Sequence, residues 1–288
     1  MKLILLSVAG LLLTTCSSIE ENHLWEQIAP ADVVRVAGGA FLGTPSSNLF
    51  DTPIIIEDFY IGRNLVTQAE WIEVMGENPA YFTLDLNNPV ERVTWYEAIL
   101  FLNRRSELAG LVPFYQIDKT IVYPNNLSST DEYRWSISIN ENATGYRLPT
   151  NLEWEFAAGG GVYSQGYAFS GSDELSEAGW FFRNSGDEFL DGIWNWPAIS
   201  ENNARTHPVA QKIPNELGLY DMSGNVREWI FNWYNPEKLT PDNGEWRVVR
   251  GGSWLTGEDA QRIYFYDGMP PYKRTYELGL RIARSILN

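Results

Sequence analysis

Apolar and polar positions divide the chain into a leader, a polar stretch and a long folded body. Leu3 to Leu13 is apolar apart from Ser7 and Gly10, follows Lys2, and ends in the small residues Thr14 and Thr15. The run is too short to cross a bilayer as a helix, and it has the basic start, apolar middle and small-residue exit of a secretion signal. Residues 17 to 30 are mostly polar and read as a tether. Beyond them, the apolar runs Val33 to Val36 and Ile54 to Tyr60, bounded by Gly38, Gly39 and Pro53, predict strands. Three Thr-x-x-Glu capping boxes, at Thr67 with Glu70, Thr94 with Glu97 and Thr150 with Glu153, predict helix starts. Ala98, Ile99, Leu102 and Leu108 extend the second helix towards Gly110, while the third runs from Asn151 to Ala158 before Gly159, Gly160 and Gly161. The remainder reads as turns, loops and short strands without a fixed repeat, and no second apolar stretch is long enough to cross a membrane.

Composition sharpens this division. The formal net charge is -16, and loss of the leader, which carries Lys2 and no acid, makes it more negative still. Such a chain does not hold nucleic acid by its net field. With 12 Trp, 15 Tyr and 13 Phe it can build a core without disulfides. Its one cysteine is Cys16, at the leader's exit and followed by Ser17 and Ser18. That arrangement resembles the lipobox of bacterial lipoproteins, which implies cleavage after residue 15 and lipidation of Cys16. The expected organisation is a signal peptide at 1–15, a lipidated tether at 16–30 and one domain at 31–288. The implied location is the cell envelope, as a lipid-anchored protein of the outer membrane facing the cell surface. No thiol remains in the domain for a disulfide, a metal or catalysis.

A fixed order of segments identifies the domain. They are Phe59 to Arg63 with Val66 to Ala69; Pro89-Val90 with Val93-Thr94-Trp95 and Ala98; and Gly145 to Thr150 with Glu153 to Ala158. Asn215 to Trp229, Arg250-Gly251-Gly252-Ser253-Trp254 and Gly279-Leu280-Arg281 complete the series. It resembles the formylglycine-generating enzyme family, also called sulfatase-modifying factors. The resemblance implies an α+β, C-type-lectin-like fold: a small twisted antiparallel sheet, a few helices and much irregular structure. Trp95, Trp154, Trp229 and Trp254 read as core. Arg147 with Glu153 and Glu155 reads as a buried ion pair rather than paired carboxylates for acid/base work.

The resemblance also says what is missing. Family enzymes use two cysteines near the C-terminus to bind copper, and those positions fall on Thr256 and Gln261, which offer no soft thiolate. The iron-dependent branch of the family needs three histidines, and this chain has only His23 and His207. The expectation is therefore a protein without catalytic residues and without a required cofactor. A structural calcium is the one ion the resemblance suggests, on Asp221, the carbonyls of Gly224 and Val226, and Glu228. The alternative at that point is that Asp221 and Glu228 cap turns and pair with Arg227 or another base.

Between Trp254 and Gly279 the framework gives way to a segment, 255–277, in which Tyr alternates with small and polar residues, the palette of a recognition surface. Leu255, Thr256, Gly257, Asp259, Ala260, Tyr264, Tyr266, Asp267, Gly268, Tyr272, Thr275 and Tyr276 are the candidate ligand-binding residues, and an aromatic loop packing on the sheet is the alternative. The segment also resembles the variable region of treponeme lipoproteins diversified by retroelements on this same fold. The expected function is a non-catalytic, surface-displayed lipoprotein that binds an external protein or glycan through this face. An accessory envelope lipoprotein with a fixed protein partner, and a metal-dependent enzyme using Glu153, Asp221 or Glu228, are the alternatives.

Overall fold

The computed structural model describes residues 32–44 and 52–286; Cys16, the leader and the tether lie outside them. Along the chain run β1 (Val33–Val36), β2 (Gly39–Phe41), β3 (Ile54–Ile56), β4 (Phe59–Gly62), α1 (Gln68–Met75), α2 (Trp95–Leu108), β5 (Tyr115–Val122), β6 (Trp135–Ile139) and β7 (Tyr146–Arg147). They are followed by α3 (Asn151–Ala158), α4 (Leu175–Ala178), α5 (Trp196–Glu201), β8 (Arg227–Trp233), β9 (Arg247–Arg250), β10 (Tyr266–Met269), β11 (Leu278–Gly279) and β12 (Ala283–Ser285). This is the α+β architecture expected from the sequence.

All three capping boxes form. In each, the threonine side chain accepts the N–H three residues on, and the glutamate returns to the threonine N–H. Two orphan donors are thereby satisfied at every one of these helix starts. The strands make two four-stranded sheets, ordered β1-β4-β12-β7 and β10-β9-β8-β11, and two hairpin-like pairs, β2-β3 and β5-β6. All neighbours are antiparallel except β11 on β8.

Trp95, Trp154, Trp229 and Trp254 are buried, and each indole N–H finds an acceptor: the Ile230 carbonyl, Glu228, the Val93 carbonyl and the Tyr276 carbonyl respectively. Burying such side chains is worth about 1.5–3 kcal/mol each, and the N–H partners remove the polar cost. Arg147 and Glu153 form the expected pair through two bonds of 2.7 and 2.6 Å. Glu155 departs from expectation: it faces the other side of α3 and binds Arg250 at 2.9 Å, both side chains fully buried. Arg247 has no carboxylate partner among the described residues. Its guanidinium instead lies between the rings of Trp95 and Trp233, 3.8 and 3.5 Å away, and donates to the Phe231 carbonyl at 2.6 Å.

Candidate functional site

The loop after β9 turns on two consecutive glycines. Gly251 and Gly252 hold φ of 86° and 66°, in the left-handed region. A Cβ at Gly252 would meet Gln261 Cγ at 2.6 Å and Thr256 Oγ1 at 2.9 Å. The tight approach brings the two positions aligned with the family cysteines together. Gln261 is buried in a short 3₁₀ turn (Glu258–Gln261) and donates Nε2 to the Ser253 carbonyl at 2.9 Å, with Thr256 Oγ1 3.4 Å away. Thr256 Oγ1 in turn accepts the Ser253 N–H at 2.8 Å. A hydroxyl and a carboxamide occupy the place where sulfur would be needed, and neither is a soft ligand.

The rest of segment 255–277 divides into separate surroundings. Tyr276 is exposed, and its ring lies 5.7 Å from that of Tyr81 and 6.3 Å from that of Trp254. The Leu255 carbonyl accepts the indole N–H of Trp194 at 2.8 Å. Asp259 is exposed, while Gly257, Ala260 and Tyr264 are half-buried. Tyr272 reaches Thr130 through a hydroxyl pair at 3.0 Å, and the Thr275 carbonyl accepts the Arg92 N–H at 3.0 Å. Tyr266, Asp267 and Gly268 lie in β10, paired to β9. There Tyr266 packs on Tyr234 and Asp267 meets Arg227 at 3.2 Å. Gly268 corrects the expectation of a ligand contact: it is buried, and a Cβ would fall 2.4 Å from the Tyr234 ring.

The residues considered for calcium are arranged differently from a cation cage. Both Glu228 oxygens accept from the fully buried Arg281 at 2.9–3.1 Å, and Oε2 also takes the Trp154 indole N–H at 2.8 Å. Asp221 is buried in a left-handed turn, where it accepts the Ala210 N–H at 2.8 Å and the Asn225 amide at 3.4 Å. Burial raises its pKa above the ordinary value. Gly224 and Val226 sit in the turn between them. Among the described residues no group of three His, Cys, Asp or Glu side chains comes together. The partner that balances Glu228 is Arg281 rather than Arg227. Glu153, held by Arg147, has no open coordination to offer either. His207 is a loop residue as expected: Nε2 lies 2.9 Å from the Ser185 carbonyl, and its ring stacks 3.8 Å from that of Trp180.

A cavity of about 670 Å³ is walled by Tyr81, Phe82, Leu84, Trp196, Arg205, Trp254 and Tyr276. Its Tyr81–Phe82 wall is fixed from beneath. Buried Glu91 accepts both backbone N–H groups, and buried Gln68 donates to the Phe82 carbonyl at 2.8 Å. Burial raises the Glu91 pKa, with those two N–H groups opposing the rise. On the far side Arg205 is held by Asp187 at 3.2 Å. Tyr81, Leu84, Trp196 and Tyr276 remain exposed at the mouth. Of these walls the sequence pointed only to Tyr276. The available signal for the others was a pair of aromatic runs with no helical or strand period, around Tyr81-Phe82 and Trp194 to Trp196.

A family model described as the sulfatase-modifying factor enzyme 1-like domain matches residues 22–286. The chain belongs to this family. It is similar to the chaperone protein LppX of Paenibacillus barcinonensis, at 44% identity over 284 residues that span 98% of this chain and 97% of that one. The inactive Cα-formylglycine-generating enzyme 2 of Mus musculus is 32% identical over 148 residues, 49% of this chain and 44% of the relative. Among solved structures, Treponema denticola variable protein 1 superposes with a TM-score of 0.71 at 29% identity, covering 88% of this chain and 94% of that one. None of these three family members is named as an active catalyst. The family and the likeness to a treponeme variable protein are thus both as the motifs implied.

Proposed function

We propose that the protein is a non-catalytic, lipid-anchored envelope protein that binds unfolded segments of another polypeptide in the aromatic cavity and assists its folding. The supporting observation is the 44% identity to a chaperone over nearly the whole of both chains. Physically, the cavity suits such a task. Tyr and Trp side chains give large amphipathic contact area at low rotamer cost, and the buried Glu91 and Gln68 hold one wall in place before binding. Cys16 would tether the domain beside the membrane across which partners are exported. This is the accessory-lipoprotein reading of the sequence, with a protein as partner. The test is the yield of active lysozyme on dilution from urea in the presence of the full chain. Trp196→Ala with Tyr276→Ala should lose most of any gain in yield; an unchanged yield with the unsubstituted protein would overturn the reading.

Display of a diversified binding face is the second reading, supported by the superposition on the treponeme variable protein. DNA from close strains separates the two. Identical codons for 255–277 favour the chaperone, and adenine-directed variation favours diversification.

A further inference from the structure

Next to the aromatic cavity lies a second one of about 430 Å³, lined by Phe182, Leu190, Ile193 and Pro197 together with Asp191 and Glu201. Helix α5 separates the two. Trp196 and Ser200 line the first cavity, while Pro197, Ala198 and Glu201 line the second. Between Arg183 and Arg205 the chain carries Asp187, Glu188, Asp191 and Glu201 and not one Lys or Arg. Asp187 is neutralised by Arg205, whereas Asp191 and Glu201 form no ion pair among the described residues. Beside these carboxylates the same stretch leaves Ile193 89% exposed, with Phe189, Trp194 and Trp196 also open to solvent. Exposed apolar side chains gathered beside a cavity favour the docking of another molecule.

We propose that the second cavity takes a lysine or arginine side chain of the same extended polypeptide whose apolar side chain fills the aromatic cavity. This rests on the chaperone reading and narrows it to a class of client segment. The aliphatic stem of the basic residue lies along Phe182, Leu190 and Ile193, and its charged end meets Asp191 and Glu201, the pattern by which such side chains use both halves of their chemistry. The molecule's net charge of -16 draws cationic segments to this face and repels acidic ones. The geometry also sets a register. An α-helix is about 10–12 Å across, an extended chain advances about 3.3 Å per residue, and only alternate side chains share a face, so apolar and basic residues about four positions apart straddle α5 from one face of the chain.

Fluorescence anisotropy with the full chain and three labelled peptides tests this. Each peptide has a Ser/Gly background with one Trp, and Lys, Gln or Glu four positions along. The Lys peptide is expected to bind about three- to tenfold tighter than the Gln peptide, with the Glu peptide weakest. Asp191→Asn with Glu201→Gln should abolish the difference. Glu107→Gln with Glu141→Gln, which removes the same charge from exposed sites elsewhere, should preserve it. If Lys and Gln peptides bind equally, or if both double variants lose the difference alike, the basic subsite is wrong and the chaperone reading stands. If no peptide binds, and soluble neutral oligosaccharides do, both fall together.

Discussion

Gln261 Nε2 lies 3.4 Å from Thr256 Oγ1, so the two positions that the family resemblance aligns with cysteines are neighbours and carry an amide and a hydroxyl. Gly252 permits the close approach, and hydrogen bonds to Ser253 hold both side chains. The full chain, supplied with copper and oxygen, should form no aldehyde from the thiol of a cysteine-containing peptide. Mass spectrometry checks this, and conversion of the thiol to an aldehyde would contradict it.

Arg281 and Glu228 are a buried pair whose members depend on each other. Arg281→Met leaves the Glu228 carboxylate charged without its partner and removes the Arg281 donor from the Gly62 and Tyr220 carbonyls, while the Arg63 carbonyl keeps the Tyr220 N–H. Stability should fall by about 3–5 kcal/mol, read as a lower denaturation midpoint. Adding Glu228→Gln should recover part of the loss, because the charge is removed while the carbonyls stay unpaired.

Cavity and framework should respond differently to truncation. Tyr276→Ala and Trp196→Ala, both exposed, are expected to shift the melting temperature by no more than a few degrees while weakening peptide binding. Trp254→Ala removes a buried ring and should cost about 3–5 kcal/mol. Gly268→Ala should cost about 1–3 kcal/mol through overpacking against Tyr234, with binding per folded molecule unchanged.

Stability between pH 7 and 5 should depend on His207. Burial lowers its pKa from the ordinary 6.5, the hydrogen bond to Ser185 opposing the shift only in part. The folded state thus keeps the ring neutral where the unfolded chain takes up a proton. His207 costs nothing above about pH 6.5, and stability is lost as pH falls from there through the lowered value. Asp221 and Glu91, raised by burial, act with the opposite sign. His207→Gln should therefore flatten the decline of melting temperature on acidification, and an identical slope in both proteins would refute the assignment.

Calcium offers a further check. Because Glu228 is neutralised by Arg281, the melting temperature should be the same in millimolar calcium and in excess chelator. A rise with calcium would mean that Arg281 yields its place to the ion.

What could be read from the sequence was local or carried by ordered motifs. The capping boxes are contained within four residues, and all three form. The pairing of Arg147 with Glu153 spans six residues and was equally visible. Arg250 with Glu155 and Arg281 with Glu228 are separated by 95 and 53 positions, and no spacing rule connects them. The cavity was hidden for the same reason, since its walls come from three distant parts of the chain, 81–84, 196–205 and Trp254 with Tyr276. The burial of Gly268 in β10 was not legible because composition describes a segment's palette and not which of its residues turn inward.

Strand β12 lies inside its sheet, hydrogen-bonded to β4 on one side and β7 on the other. Neither neighbour can complete its ladder until residues 283–285 arrive. A ribosome or translocation channel still holding that stretch would therefore withhold the native topology from everything already emerged. Maturation of this domain waits until residues 283–285 are free to pair on both sides, and a substitution that blocks their pairing should be felt by folding yield before it is felt by any binding assay.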